Sequence, residues 1–373
     1  MKKLLEIIVP LAILCITSML CARKETPLKM LISTYTDGNG SQGVYLFEFS
    51  QENATFSLLD TARAGNPSFI IPSDDRKFAW SVGEYDDGRQ CACSYRLGDS
   101  TIDAINCQST DGEASGAAPC NVIAVNGHLV TSNYSGGTLS SFPINEDGTL
   151  GPLEMQYVPE TNDATQSPHL HCAFLSPDGK YLFANDLGLD AIYRFALKDC
   201  GHPLQGSPIA DASVAYKFDS QAHPGPRHAV FSADGRFVYL IHELGDLLTV
   251  LSYDDGRLIH VSTTLAYTGE GHGSADIHLT PDGRFLYTSH RLKEDGISIF
   301  AVNSKDGSIT HTGYCRTGRH PRNFAITPNG KYLLCACRDD NRIEIYSIDA
   351  QDGSLTSTGK TIDIPSPVCV QFL

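Results

Sequence analysis

Short apolar runs alternate with turn-forming clusters along almost the whole chain, and the alternation repeats. Residues 225–244, Gly-Pro-Arg-His-Ala-Val-Phe-Ser-Ala-Asp-Gly-Arg-Phe-Val-Tyr-Leu-Ile-His-Glu-Leu, form its clearest unit. The pattern predicts two strands, at 228–232 and 237–241, joined by an Ala-Asp-Gly-Arg hairpin turn. Asp-Gly suits such a turn because its residues reach positive φ at little cost. An antiparallel hairpin brings its two ends together. Arg227 and His228, which enter it, therefore share one end with His242 and Glu243, which leave it.

Aligning the chain on the turn glycine gives Gly127, Gly179, Gly235, Gly283 and Gly330, at steps of 52, 56, 48 and 47 residues. Asp74-Asp75-Arg76 takes the same place one step earlier. An apolar strand follows each turn, and in most units a second strand pair follows, as at 296–302 and 308–313 around Lys305-Asp306-Gly307. Four antiparallel strands in about 50 residues is the size of a β-propeller blade. No sustained 3.6-residue period is present, which excludes a helical domain.

The ends set the blade count. Six hairpins open through Asn66-Pro67, Ala118-Pro119, Ser167-Pro168, Gly225-Pro226, Gly273-Ser274 and His320-Pro321; a seventh opening, Ser366-Pro367, reaches the C-terminus without partner strands. Residues 30–33, 43–49 and 56–62 supply the missing three. The expected fold is all-β: a single domain over residues 27–373, a seven-bladed β-propeller of four-stranded antiparallel blades. Its last blade is shared between the N- and C-termini, which removes free sheet edges.

Residues 1–22 stand apart. Lys2 and Lys3 precede an apolar run at 7–20, too short for a comfortable membrane span, and Ala22 follows. This is a signal-peptide pattern, so export to the periplasm is expected, with a lipid anchor at Cys21 as the alternative. The formal net charge of −15 argues against nucleic acid as a partner. Of 12 cysteines, two lie in the leader, and no Cys-x-x-Cys occurs. Cys91/Cys93 and Cys335/Cys337, spaced by two on strand-like runs, read as small buried apolar residues. Nothing in the sequence signals an oligomeric state.

In a propeller the first strand of each blade lines the central channel. The loop entering it and the loop after the second strand open on one face, and the Asp-Gly tips on the other. The first face collects His169, His171, Arg227, His228 and Arg322 from the entries, and Asn133, Asp186, Glu243, His290 and Arg291 from the second-strand ends. Asn133 and Asp186 suit turn capping as well as ligand contact. Three channel-facing arginines need anionic partners. Glu243, Asp186 and Asp276 are the obvious ones, so a small anionic ligand is implied. His169 and His171 have no third ligand at a suitable spacing and have arginines beside them, so neither metal nor other cofactor is expected.

Gln166-Ser167-Pro168-His169-Leu170-His171, Ser176-Pro177-Asp178-Gly179, Asn185-Asp186-Leu187-Gly188-Leu189-Asp190, Gly225-Pro226-Arg227-His228, Glu243-Leu244 and Pro281-Asp282-Gly283-Arg284-Phe285-Leu286-Tyr287 carry a resemblance. From residue 31 to 373 the chain resembles the seven-bladed lactonase family, which includes the bacterial propeller-type 6-phosphogluconolactonases and the fungal carboxymuconate lactonizing enzymes. The resemblance implies a metal-independent site for a small organic acid or its lactone, with His169, His171, Arg227, Glu243 and Arg291 as catalytic residues. Arg322, His228, Asn133, Asp186 and His290 are the substrate-binding candidates beside them. His242 stands where an Asn often precedes the Glu, and His290 replaces the Asn usual before Arg291. The expected activity is hydrolysis of a sugar-acid lactone, with Glu243 as general base or as the group that orients a histidine base. The alternatives are the reverse-sense lactonizing cycloisomerase and a non-catalytic binding propeller. Export directs the expectation to a lactone met outside the cytoplasm.

Overall fold

The computed structural model describes residues 26–373 except 39, 162–164, 198–206, 220–221, 268 and 270–272; the expected leader at 1–22 lies outside the described residues. Seven four-stranded antiparallel sheets form the ring. Blade 1 is Ile70–Pro72, Phe78–Gly83, Cys91–Leu97 and Ile102–Ser109, and blade 2 is Pro119–Val125, His128–Asn133, Thr138–Pro143 and Met155–Tyr157. Blade 3 is Leu170–Leu175, Tyr181–Asp186, Ala191–Ala196 and Ala212–Lys217, and blade 4 is Pro226–Phe231, Phe237–His242, Leu247–Asp254 and Arg257–Leu265. Blade 5 is Ser274–Leu279, Phe285–His290, Gly296–Val302 and Ile309–Arg316, and blade 6 is Pro321–Ile326, Tyr332–Cys337, Arg342–Ile348 and Leu355–Asp363. In blade 7 the C-terminal Pro367–Phe372 pairs with Leu28–Thr34, followed by Gly43–Phe49 and Phe56–Arg63. Met30 faces Phe372 and Ile32 faces Val370, so the ring closes as expected from the two ends. Among the described residues no helix is long and apolar enough to cross a membrane.

Burial follows position in the blade. Second strands are covered on both faces by neighbouring blades and read as unbroken apolar runs; Val238, Tyr239, Leu240 and Ile241 are all fully buried. Outer strands face water, as in Arg257–Leu265, where one residue of nine is buried. Blades meet through side chains such as Phe174 and Phe183 packed on Val238 and Leu240. Each such fully buried side chain contributes about 1.5–3 kcal/mol.

The hairpin tips differ in detail from a two-residue Asp-Gly turn. Ser232 Oγ donates to Asp234 Oδ1 (2.7 Å), which also accepts from Arg236 N (3.2 Å), while Phe237 N donates to Ser232 Oγ (3.0 Å). Gly235 alone of the pair takes positive φ, at 73°. The same side-chain staple recurs at Ser73/Asp75, Ser176/Asp178, Thr280/Asp282 and Thr327/Asn329. Two-residue turns with both residues at positive φ are Asn126-Gly127, between the paired Val125 and His128 (51° and 75°), and Asp255-Gly256, between Asp254 and Arg257 (43° and 83°).

The cysteine expectation needs one correction. Cys335 and Cys337 are buried and free, but Cys93 is disulfide-bonded to Cys107. The spacing of two was the wrong relation to read, because Cys107 lies on the next strand directly opposite Cys93.

Candidate active site

A backbone device on the first strands builds the site. In blade 3, Leu170 pairs with Asp186 and Cys172 with Asn185, which leaves His171 as an extra residue. Arg227 is the extra residue between Pro226 and His228, Arg322 between Pro321 and Asn323, and Cys120 between Pro119 and Asn121. In blade 5, Ala275 and Asp276 together face Ser289. A β-bulge leaves its added residue out of the ladder and re-aims its side chain. Repeated around the ring, the bulges bring His171, Arg227 and Arg322 to the top of the channel. The residues just past the second strands close the site from above. Tyr35, Glu84, Tyr134, Glu243 and Arg338 are equivalent, each donating its N–H to the carbonyl of the residue just before the proline that opens the first strand.

Glu243 is the hub. Its Oε2 accepts from Arg227 Nε (2.7 Å) and its Oε1 from Arg291 Nη2 (2.9 Å). The two guanidiniums are held from behind by carbonyls, Arg227 Nη1 on Ala275 O (2.6 Å) and Arg291 Nε on Gly273 O (2.9 Å). Arg322 lies 3.4 Å from Glu84 Oε2, which also accepts from Tyr35 Oη at 2.9 Å. Three guanidiniums thus face two carboxylates, leaving one positive charge in excess.

His171 Nε2 stands 3.9 Å from Glu243 Oε2, and its Nδ1 is buried without a hydrogen-bond partner. The Tyr134 ring lies edge-on to His171 at 5.7 Å and is stacked on His169 at 4.7 Å. His169 Nδ1 donates to Tyr134 O (2.8 Å), so His169 supports Tyr134, and Tyr134 stands between the two histidines.

These neighbours set protonation. Burial would raise the Glu243 carboxyl, but Arg227, Arg291 and Arg322 outweigh it and hold the group at about 2. Burial, with Arg227 and His228 beside it, keeps His171 well below the usual imidazole value. Burial lowers Arg291 to about 10, still cationic at neutral pH. Glu243 is therefore a fixed anion of low basicity, and His171 a neutral imidazole with an accepting nitrogen. Of the two roles expected for Glu243, orientation and charge fit this geometry better than proton abstraction.

The other candidates divide. Arg322 and His228 border the cluster. Asn133 is buried inside blade 2, bonded to Thr131, Thr138 and Ser140. Asp186 Oδ1 accepts from the backbone N–H of His169, Gly188 and Leu189, which makes it a turn cap. His290 is spent on Ser274 and Thr288 within blade 5. Glu84 and Tyr35, which the sequence also places at second-strand ends on this face, share the site though they are not among the candidate residues; the signal was available, since Glu84 occupies in blade 1 the place of Glu243 in blade 4.

The profile of the family described as "Lactonase, 7-bladed beta-propeller" matches residues 29–372. The chain belongs to this family. A 6-phosphogluconolactonase of Bacillus subtilis is 31% identical over 366 residues, 92% of this chain and 97% of the relative. A solved structure from Bacteroides uniformis, described as a candidate 6-phosphogluconolactonase, is 44% identical, covers 94% of this chain and 100% of its own, and superposes with a TM-score of 0.85. A periplasmic gluconolactonase of Pseudomonas aeruginosa is 28% identical, covers 93% and 99%, and has a TM-score of 0.82. The resemblance read from the motifs is thus the family found.

Proposed function

We propose that the protein is a metal-independent lactonase that opens a sugar-acid lactone of the gluconolactone type outside the cytoplasm. The observation that carries the reading is the Glu243 carboxylate bridging two buried arginines, with the neutral His171 imidazole 3.9 Å away. Lactone opening needs a base for the attacking water, a cationic seat for the oxyanion, and a proton for the departing ring oxygen. His171 takes the proton of the water, the adjacent Glu243 stabilises the imidazolium, and that imidazolium then protonates the ring oxygen. Arg227 and Arg291 seat the oxyanion, and Arg322 and His228 border the sugar. The single excess positive charge suits a developing oxyanion better than a phosphate dianion. The leader pattern of residues 1–22 and the likeness to a periplasmic gluconolactonase support the extracytoplasmic substrate.

The test is a pH-stat and NMR assay of glucono-δ-lactone, 6-phosphogluconolactone and a cis,cis-muconate, with Arg227→Ala as control. The reading expects opening of the unphosphorylated lactone well above the spontaneous rate and none of it in the variant. Opening at the background rate for both lactones removes it, and lactone formed from the muconate replaces it with the cycloisomerase.

A further inference from the structure

Tyr134 stands in the site, yet lactone opening by His171, Glu243 and the arginines makes no use of it. It is one of five equivalent residues, and the other four commit their side chains to protein partners. Glu243 holds Arg227 and Arg291, Tyr35 donates to Glu84, and Arg338 donates to Asp339. The Tyr134 side chain is half-buried, and its hydroxyl has no hydrogen-bond partner among the described residues.

That unspent hydroxyl is carried on a fixed frame. A Cβ at Gly136 would lie 2.2 Å from Ser115 O, and one at Gly137, whose φ is 64°, would lie 2.4 Å from Pro168 O. Only glycine fits either place, so the turn after Tyr134 is pressed against the chain entering blades 2 and 3. The Tyr134 carbonyl accepts from Gly137 N (3.3 Å) and from His169 Nδ1 (2.8 Å). The His169 ring stacks on the phenol at 4.7 Å, and the His171 ring meets it at 5.7 Å and 77°. His171 in turn stands 3.9 Å from Glu243. Burial and the Glu243 charge raise the phenol above its ordinary value, so it stays a neutral hydroxyl, donor and acceptor at once.

We propose that the Tyr134 hydroxyl hydrogen-bonds a ring hydroxyl of the substrate and thereby selects polyhydroxy lactones over lactones without hydroxyls. His169 acts through Tyr134, as a positioning residue that holds the phenol by its stack and by the bond to the Tyr134 carbonyl. The inference rests on the lactonase reading. In that reading the carbonyl oxygen belongs to Arg227 and Arg291, and the attacking water to His171. A neutral hydroxyl beside them matches the neutral oxygens of a sugar, which can donate to it or accept from it. A phenol held in place before binding loses little freedom when the sugar arrives, so its bond counts toward selectivity.

Tyr134→Phe removes the hydroxyl and keeps the ring on His169. The assay compares kcat/KM for glucono-δ-lactone and for δ-valerolactone, which has no ring hydroxyl. The wild type is expected to favour the sugar lactone, and the ratio of the two to fall about tenfold in Tyr134→Phe, the worth of one ordinary hydrogen bond. His169→Phe keeps a ring for the stack and loses the donor; it is expected to lower the same ratio in the wild type and to add nothing in Tyr134→Phe. A merely structural role lowers both lactones together and leaves the ratio alone. An unchanged ratio in Tyr134→Phe overturns the contact, and additive losses in the double variant overturn the part given to His169. A second readout is independent of turnover: by calorimetry, gluconate is expected to bind Tyr134→Phe about tenfold more weakly than the wild type. Equal affinity overturns the contact. A wild type that opens neither lactone yet shows that difference in gluconate affinity overturns the lactonase reading and supports the contact.

Discussion

Replacing Glu243 by Gln keeps the shape of the hub and removes its charge. At the 3.9 Å between Glu243 and His171, an effective dielectric near 20 gives about 4 kcal/mol of attraction between the carboxylate and an imidazolium. Lost in full from the transition state, that is about 1000-fold in rate. Arg227 and Arg291 already draw on the same carboxylate, so the expected fall in kcat for Glu243→Gln lies between about 100-fold and 1000-fold. Binding moves the other way. The excess of one positive charge at the site becomes two, so the product acid binds at least as tightly as to the wild type. Stability falls, because one amide oxygen replaces two carboxylate oxygens under two buried guanidiniums, a loss of about 2 kcal/mol.

Steady-state kinetics, product inhibition and urea unfolding on the one variant separate these effects. Turnover within tenfold of wild type removes Glu243 from stabilising the imidazolium. A product affinity that weakens in step with kcat shows instead that the carboxylate only props the arginines, and the mechanism drawn around His171 then fails.

Further expectations concern pH, the arginines, the blade interior and the disulfide. Because His171 lies well below the usual imidazole value, kcat/KM is expected to stay flat from pH 8 to below 6.5; an acid limb at pH 6.5 or above contradicts it. Glu243 is depressed to about 2 from an ordinary 4.5, so it stabilises the fold fully above pH 4.5 and progressively less as pH falls toward 2. Acid unfolding followed by circular dichroism should show that increment in the wild type and not in Glu243→Gln. Arg322→Ala should raise KM about tenfold with a smaller change in kcat, and an unchanged KM removes Arg322 from substrate binding. Asn133→Ala should leave KM unchanged and cost about 1–3 kcal/mol by stranding the buried Thr131 hydroxyl; a raised KM at full stability reverses that assignment. Reducing Cys93–Cys107, which spans 14 residues, should cost about 3 kcal/mol on the loop-entropy scale, read as a lower urea midpoint with reductant for wild type and no change for Cys107→Ser.

The ring was legible because it is built from local signals repeated seven times. The spacing of Gly179, Gly235, Gly283 and Gly330 carried the blades, and the unpaired opening at Ser366-Pro367 carried the closure seen between 28–34 and 367–372. The disulfide was not legible in this way, since Cys93 and Cys107 meet through strand pairing across a turn, a relation that i, i+2 counting does not reach. Asn133, Asp186 and His290 sit one residue short of the positions equivalent to Glu243, in the register of His242, so their side chains turn to the other side and find partners inside the blade. For Asp186 those partners are three backbone N–H groups of its own turn.

The bulge is where sequence and site part company most sharply. Alternation along a strand predicts that Arg227 and His228 point to opposite faces, and that His169 and His171 point to the same one. With Arg227 left out of the ladder between Pro226 and His228, both neighbours serve the channel: Arg227 reaches up to Glu243, and His228 drops to Asp276. His169, outside the strand, turns to Tyr134. One inserted residue in the first strand thus converts a flat inner strand into two stacked layers of chemistry, a cationic seat above and an Asp–His pair below. Loss of the bulge in blade 4 would slip the strand by one residue and exchange those layers, so a deletion of Pro226 should abolish turnover more completely than Arg227→Ala while leaving the blade's apolar core in place.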